Sequence, residues 1–260
     1  MKNKIDSSWE NSSKWYDDIV GKGGHFYHQE IILPNLQKLL ELKNKPSAKI
    51  LDVACGQGIF SRDVPQNLEY VGVDISPSLI KIAKEYNAKN QRRTFFVGDA
   101  QNLSFLQQKF THAVCILAIQ NIENPLLVFQ GISKLLEKDG KLVLVLNHPC
   151  FRIPRQSSWQ VDEPKKLQYR RIDRYYTPLN IPIQMNPSQR EESSQTISFH
   201  NPLSAYSSWL KQSSFVIELI EEWCSTKTST GKNATMENRS RKEFPLFMTI
   251  VARKLNHLTS

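Results

Sequence analysis

From about residue 29 onward the apolar residues of this chain fall into a repeating strand-then-helix rhythm, and that alternation restricts the fold more than any other feature. Short strand-like runs at Lys49 to Ala54, Tyr70 to Asp74, Thr94 to Gly98, His112 to Leu117 and Lys141 to Leu146 are separated by stretches with helical period. The first helix is predicted over about Glu30 to Leu42, with Ile31, Ile32, Leu36, Leu39 and Leu40 on one face. A second is expected just beyond Gly58. Ser76 can cap a third, Pro77 can open it, and it should run to about Ala88. A fourth covers about Pro125 to Leu136, and the Lys138-Asp139-Gly140 turn delivers the fifth strand. Near the end, Asn201 can cap a helix to about Lys211, Val216 to Trp223 reads as a strand, Ser225 to Arg241 as a polar loop, and Leu246 to Ala252 as a last strand. Two closing strands with no helix between them should pair antiparallel, because a parallel pair needs a long crossover. The expected fold is α/β: a doubly wound, seven-stranded, mostly parallel sheet with an antiparallel last strand.

Between Asn147 and His200 the rhythm fails. Six prolines (Pro149, Pro154, Pro164, Pro178, Pro182 and Pro187) and scattered aromatics leave no helical period, and such insertions tend to be lids or binding elements. With 260 residues, 40% of them hydrophobic, the chain suits one domain. We expect residues 1–28 to form a leading arm, 29–149 the core, 150–199 a lid or substrate-binding insertion, and 200–260 the rest of the sheet. No apolar run approaches the roughly 20 residues that cross a bilayer, and Met1 to Glu10 is polar, so a cytoplasmic protein without a membrane partner is expected. Cys55, Cys115, Cys150 and Cys224 are far apart, which indicates neither a metal site nor a disulfide framework. The net charge of +9 is compatible with nucleic acid or an anionic small molecule. Its one basic, aromatic-rich stretch, from Lys165 to Tyr176, lies inside the insertion.

The segment Ile50-Leu51-Asp52-Val53-Ala54-Cys55-Gly56-Gln57-Gly58 runs a buried strand into a glycine turn, where a ligand can lie against bare backbone. Asp74 closes the next strand about 20 residues later, a place from which a carboxylate can bind a ribose diol. The dinucleotide fingerprint G-x-G-x-x-G is broken, since Ser61 stands where its third glycine belongs. Asp52, just before the turn, suits a ligand with an ammonium group better than a pyrophosphate. Asp99 ends the third strand, where it can accept a hydrogen bond from an adenine amino group. Three such acids around one turn describe a ligand with amine, diol and adenine.

On these residues the chain resembles the class I S-adenosylmethionine-dependent methyltransferases, whose sheet is Rossmann-like. The matching motifs are Asp52-Val53-Ala54-Cys55-Gly56-Gln57-Gly58, Val73-Asp74-Ile75-Ser76-Pro77 and Gly98-Asp99-Ala100, followed by Gln101. The resemblance implies S-adenosylmethionine as cofactor and S-adenosylhomocysteine as product. It places Gly56 and its neighbours at the methionine part, Asp74 with Ile75 at the ribose, and Asp99 with Ala100 and Gln101 at the adenine. The backbone of Leu117 and Ala118 should lie near the cofactor's amino group, and Tyr16 of the leading arm should reach its carboxylate. Ala54 departs from the pattern, a glycine being commoner there, and its methyl is expected to cost little.

The expected reaction is methyl transfer to a small-molecule acceptor, at oxygen ahead of nitrogen or carbon. An alternative is a methyltransferase of RNA or protein that docks through the basic stretch. Nucleic-acid chemistry is disfavoured because Ala118-Ile119-Gln120-Asn121 stands where adenine amino-methylating enzymes carry an Asn/Asp-Pro-Pro-aromatic motif. His148, directly after strand five, is the candidate general base. His28, Phe151, Tyr175 and His200 are candidate acceptor contacts, with Trp159, Tyr169 and Tyr176 helping the insertion enclose an aromatic acceptor.

Overall fold

The computed structural model describes residue 10, residues 13–184 and residues 195–255. Helix α1 (Ser13–Val20) precedes a π-helical turn, His28–Ile32, that runs straight into α2 (Leu33–Leu40). The central elements follow as β1 (Lys49–Val53), β2 (Glu69–Asp74), α3 (Pro77–Tyr86), β3 (Arg93–Val97), β4 (Phe110–Ile116), α4 (Pro125–Leu135) and β5 (Leu136–Asn147). Four shorter strands come next: β6 (Ser157–Asp162), β7 (Leu167–Ile172), β8 (Leu179–Gln184) and β9 (Gln195–His200). The chain closes with α5 (Leu203–Gln212), β10 (Phe215–Trp223), α6 (Ala234–Glu243) and β11 (Phe247–Lys254).

Seven strands form one sheet in the order β10-β11-β5-β4-β1-β2-β3. β1 to β5 pair in parallel, while β11 runs antiparallel to both β5 and β10. The period-2 alternation of a strand divides the core into two layers. Ile50, Val143 and Val145 face α2 and α3 through Leu36, Leu40, Ile80 and Ala83. Leu51, Leu142 and Leu144 face α4 and α5 through Phe129, Ile132, Tyr206 and Leu210. Burial of each such side chain contributes about 2 kcal/mol. The strand order reverses between β1 and β4, and at such a switch point a crevice opens beyond the carboxyl ends of the strands.

Three expectations need correction. No α-helix follows Gly58; the connection is a chain of turns with one 3-10 turn, Phe60–Arg62. Pro65 has no amide hydrogen for a helical ladder. The Arg93 guanidinium takes the carbonyls instead, donating to those of Ser61 at 3.0 Å, Leu68 at 2.6 Å, Val64 at 2.7 Å and Pro65 at 3.0 Å. Second, part of the expected 225–241 loop is helical, as α6, so a helix does separate β10 from β11, although the two strands pair antiparallel as expected. Only Ser240 of α6 is buried, and a helix polar all round carries no hydrophobic period. Third, the insertion, where the rhythm of the sequence fails, is regular in structure over most of its described residues. It folds as two antiparallel hairpins, β6-β7 and β8-β9, separate from the main sheet. Pro182 is accommodated because β8 has a strand on one side only.

Candidate functional site

The turn after β1 is held by one carboxylate. Asp74 Oδ2 accepts from the Gly56 amide at 2.8 Å, and Oδ1 accepts from the Ser76 amide at 2.9 Å. Ala54, Gly56 and Gly58 have φ of +57°, +56° and +71°. The Ala54 methyl therefore sits in left-handed backbone, which for an L-residue costs about 1 kcal/mol or more, so the expectation that it costs little is corrected. Burial holds the Asp74 carboxyl above its ordinary value in spite of the two amides. Each of its oxygens retains a second lone pair. Below the turn, fully buried Asp52 accepts from the Tyr70 hydroxyl at 2.5 Å, and burial pushes its pKa up to about 7. Asp52 does not line the crevice, nor do Cys55 and Gly58. A Cβ on Gly58 would meet Phe95 at 3.0 Å and Ser61 Oγ at 3.1 Å, so that glycine serves packing.

The crevice itself is a cavity of about 420 Å³. Its strand-tip wall is formed by Ala54 and Gly56 after β1, Asp74 and Ile75 after β2, Asp99, Ala100 and Gln101 after β3, and Leu117 and Ala118 after β4. Asp99 is exposed and accepts from the Gln101 amide at 2.8 Å, which turns the chain around the rim. Leu117, like Ala54, is a non-glycine residue in left-handed backbone, with φ +54°. Two such residues at the tips of β1 and β4, both lining one cavity, are the kind of stored strain that clusters at functional sites.

The opposite wall comes from elsewhere. The β8-β9 hairpin contributes Ile183, Gln184, Thr196 and Ser198, the turn after β4 contributes Gln120 and Asn121, and His28 enters from the π-helical turn. Three buried polar atoms here have no hydrogen-bond partner among the described residues: His28 Nδ1, Thr196 Oγ1 and Gln120 Oε1. Gln120 does donate through Nε2 to the Leu117 carbonyl at 2.8 Å. Burial, reinforced by His25 and Arg62, pushes His28 down to about 4, so its imidazole is neutral at pH 7. Buried polar groups are ordinarily paired, and three orphans on one wall mark a surface shaped for a polar ligand.

Four other residues singled out from sequence do not line this cavity. His148 is buried, with Nε2 on Glu222 Oε1 at 2.6 Å and Nδ1 accepting from the amides of Cys150 at 3.2 Å and Phe151 at 3.3 Å. Both ring nitrogens are engaged, and burial lowers its pKa more than Glu222 raises it. Phe151 stacks between His148 and Phe244, at 4.6 and 5.5 Å. The Tyr175 hydroxyl accepts from the Leu203 amide at 3.1 Å, and His200 Nε2 bonds the Tyr175 carbonyl at 2.7 Å. The expected aromatic enclosure is likewise corrected: Trp159 packs on Phe244 at 5.5 Å, and Tyr169 and Tyr176 are exposed. Tyr16 lies in α1, but its side chain falls outside the described residues. Missed from sequence were Thr196 and Ser198, although the alternation Thr196-Ile197-Ser198-Phe199 is a legible strand signal. Among the described residues no cluster of His, Cys, Asp or Glu could hold a metal ion, and no helix is long and apolar enough to cross a membrane.

A sheet of this order, with a glycine turn and strand-tip carboxylates at its switch point, defines a Rossmann-like methyltransferase fold. Residues 51–144 match the family model described as a methyltransferase domain. The demethylmenaquinone methyltransferase of Staphylococcus aureus is 24% identical over 163 residues, which cover 60% of this chain and 65% of that protein's length. In structure, an S-adenosylmethionine dependent methyltransferase from Mesorhizobium loti superposes with a TM-score of 0.64 at 22% identity, covering 85% of this chain and 100% of the other. The glycopeptide N-methyltransferase MtfA, solved with sinefungin, gives a TM-score of 0.59 at 14% identity over 87% and 86% of the two chains. Residues 51–144 are thus similar to a methyltransferase domain, set in a chain with the Rossmann-like methyltransferase fold.

Proposed function

We propose that this protein methylates a small-molecule acceptor, with a hydroxyl oxygen as the receiving atom, and that the strand-tip wall holds S-adenosylmethionine. The residues present fit that cofactor: Gly56 offers backbone without a side chain, Asp74 retains lone pairs for a diol, and Asp99 stands at the rim where an amino group can be met. When bound, S-adenosylmethionine supplies a methyl group on a sulfonium sulfur for in-line displacement, a reaction in which positioning provides much of the rate. Leu117, in left-handed backbone, lines the cavity beside Ala118. Of the expected leading arm, residues 1–28, the described part meets this side at Glu10, which accepts from the hydroxyls of Ser76 and Ser78 and, at 3.2 Å, from the Ser78 amide, directly beside Asp74 and Ile75. The β8-β9 hairpin forms the acceptor side.

The observation that carries this reading is the trio of unpartnered atoms on the wall opposite the strand tips. Thr196 and Gln120 orient a polar acceptor. His28, neutral at pH 7, receives a hydroxyl proton as the oxygen becomes nucleophilic. The cavity volume is in the range that encloses small ligands. The small acceptor named for the S. aureus relative points the same way. The basic stretch favours it too, being largely engaged internally: Lys165 pairs with Asp162 at 3.3 Å, Arg171 with Asp173 at 2.6 Å, and Arg170 donates to the Phe151 carbonyl at 2.7 Å. Calorimetry with S-adenosylhomocysteine, followed by transfer of labelled methyl to a panel of hydroxylated small molecules, tests the proposal. The expected result is cofactor-product affinity and acceptor-dependent turnover; a folded protein without that affinity would end it.

A further inference from the structure

A second compartment, of about 30 Å³, adjoins the acceptor end of the large cavity and shares Gln120, Asn147, Pro154 and Ser198 with its walls. Arg152 lines only the smaller space. The backbone sets its position, the Arg152 amide donating to the His148 carbonyl at 2.8 Å in the turn that leaves β5. Its guanidinium lies 5.5 Å from the centre of the Trp159 ring, and its Nε is buried without a hydrogen-bond partner. No hydrogen bond or ion pair reaches its side chain among the described residues. Arg170 approaches the same ring at 5.2 Å, yet donates to the Phe151 carbonyl at 2.7 Å and Ser157 Oγ at 2.8 Å. Every other buried or half-buried arginine among the described residues donates to at least one protein oxygen: Arg62, Arg93, Arg170, Arg241 and Arg253. Arg152 is the exception.

Its surroundings leave that charge uncompensated. Among the described residues neither cavity places a carboxylate beside it: the acids lining the two spaces, Asp74 and Asp99, belong to the strand-tip wall. Glu222, just beyond, is taken by His148 at 2.6 Å. His200 bonds the Tyr175 carbonyl through Nε2, and burial holds its pKa down, so Arg152 is the compartment's cation. Burial, with Arg170 adding to it, pushes the Arg152 guanidinium down to about 10. A half-buried cation without a counter-ion is costly, and an anion that met it would interact less screened than in bulk water.

We propose that the acceptor carries a carboxylate, and that Arg152 anchors it in the small compartment while the rest of the molecule lies in the large cavity. A planar guanidinium fork matches a carboxylate in shape as well as charge. A space of about 30 Å³ takes a head of that size and no ring. The carboxylate is thus a handle held to one side of the methyl-accepting atom. This inference rests on the methyltransferase reading and narrows its substrate class to small organic acids.

The test uses the full chain, titrated by calorimetry with S-adenosylhomocysteine and then, in its presence, with acetate, benzoate, cinnamate and salicylate against acetamide and benzamide. At least one carboxylate should bind at least tenfold more tightly than its amide, and Arg152→Gln should erase that difference while changing affinity for S-adenosylhomocysteine by less than twofold. Arg152→Met keeps the length of the side chain and removes its charge, so without ligand its Tm should equal or exceed that of the natural protein. Carboxylates that do not bind, amides that bind equally well, an indifferent Arg152→Gln, or a lower Tm for Arg152→Met would each overturn the assignment. Failure to bind S-adenosylhomocysteine strikes the parent reading instead.

Discussion

On one side of the cavity, Gly56, Asp74 and Asp99 stand at the tips of adjacent parallel strands, each within a few residues of the strand that carries it. On the other, His28, Gln120, Thr196 and Ser198 arrive from a π-helical turn, a 3-10 turn and a hairpin outside the main sheet. The first wall is largely backbone and carboxylate, pinned by bonds from Asp74 to two amides. The second is side chains with polar atoms left open. The difference teaches that a fold can present a constant reagent with strand ends alone, whereas selecting an acceptor is left to segments that can change without disturbing the sheet.

Substitutions can separate the two walls. Asp74→Ala should have the largest effect, weakening S-adenosylhomocysteine binding by about 100-fold in calorimetry, since it removes a ligand contact and leaves two buried amides without an acceptor. His28→Phe should leave that affinity within twofold but lower acceptor turnover by about 10- to 100-fold. Because His28 is held near 4, it contributes no inflection to the rate between pH 6 and 8, and an inflection near 6.5 that disappears in His28→Phe would contradict its assignment. Asp52 gives a pH signature of stability. A buried acid whose folded pKa lies near 7 keeps its proton where the unfolded chain has already lost it, so its contribution declines as pH rises from about 4 to 7 and is level above. The steepest slope is about 1.4 kcal/mol per pH unit. Asp52→Asn should flatten this part of the profile in denaturant melts at pH 5 and pH 8. Thr196→Val should raise the acceptor KM roughly fivefold, worth about 1 kcal/mol, with cofactor binding unchanged. The smallest effect is expected for Ala54→Gly, which relieves left-handed backbone at the price of a freer unfolded chain, for a net gain of about 0.5 kcal/mol in urea unfolding.

The strand-tip wall was legible because its signals are local. An apolar run, an acid at its end and a glycine turn lie within a dozen residues, and burial on both faces makes such runs stand out. What failed to show depends on partners far along the chain. His148 looks available until Glu222, 74 positions later, takes its Nε2. The segment after Gly58 looks helical until Arg93, about 30 residues on, collects its carbonyls. Thr196 looks like an ordinary polar residue near prolines until the pairing of Pro182 with Ile197 places its strand on the cavity. Asp52 was recognised as important, but distance along the strand could not tell a ligand contact from a carboxyl bonded to Tyr70.

The grip of Arg93 bears on the shape of the corner after β1. β3 is the outermost strand of the sheet, and only β2 pairs with it. Without that strand, four carbonyls of the β1-β2 connection lack their donor, and the glycine bend leading into them is held from β2 alone, by Asp74. The corner of the crevice after β1 thus takes part of its shape from an edge strand, although β1 itself lies inside the sheet.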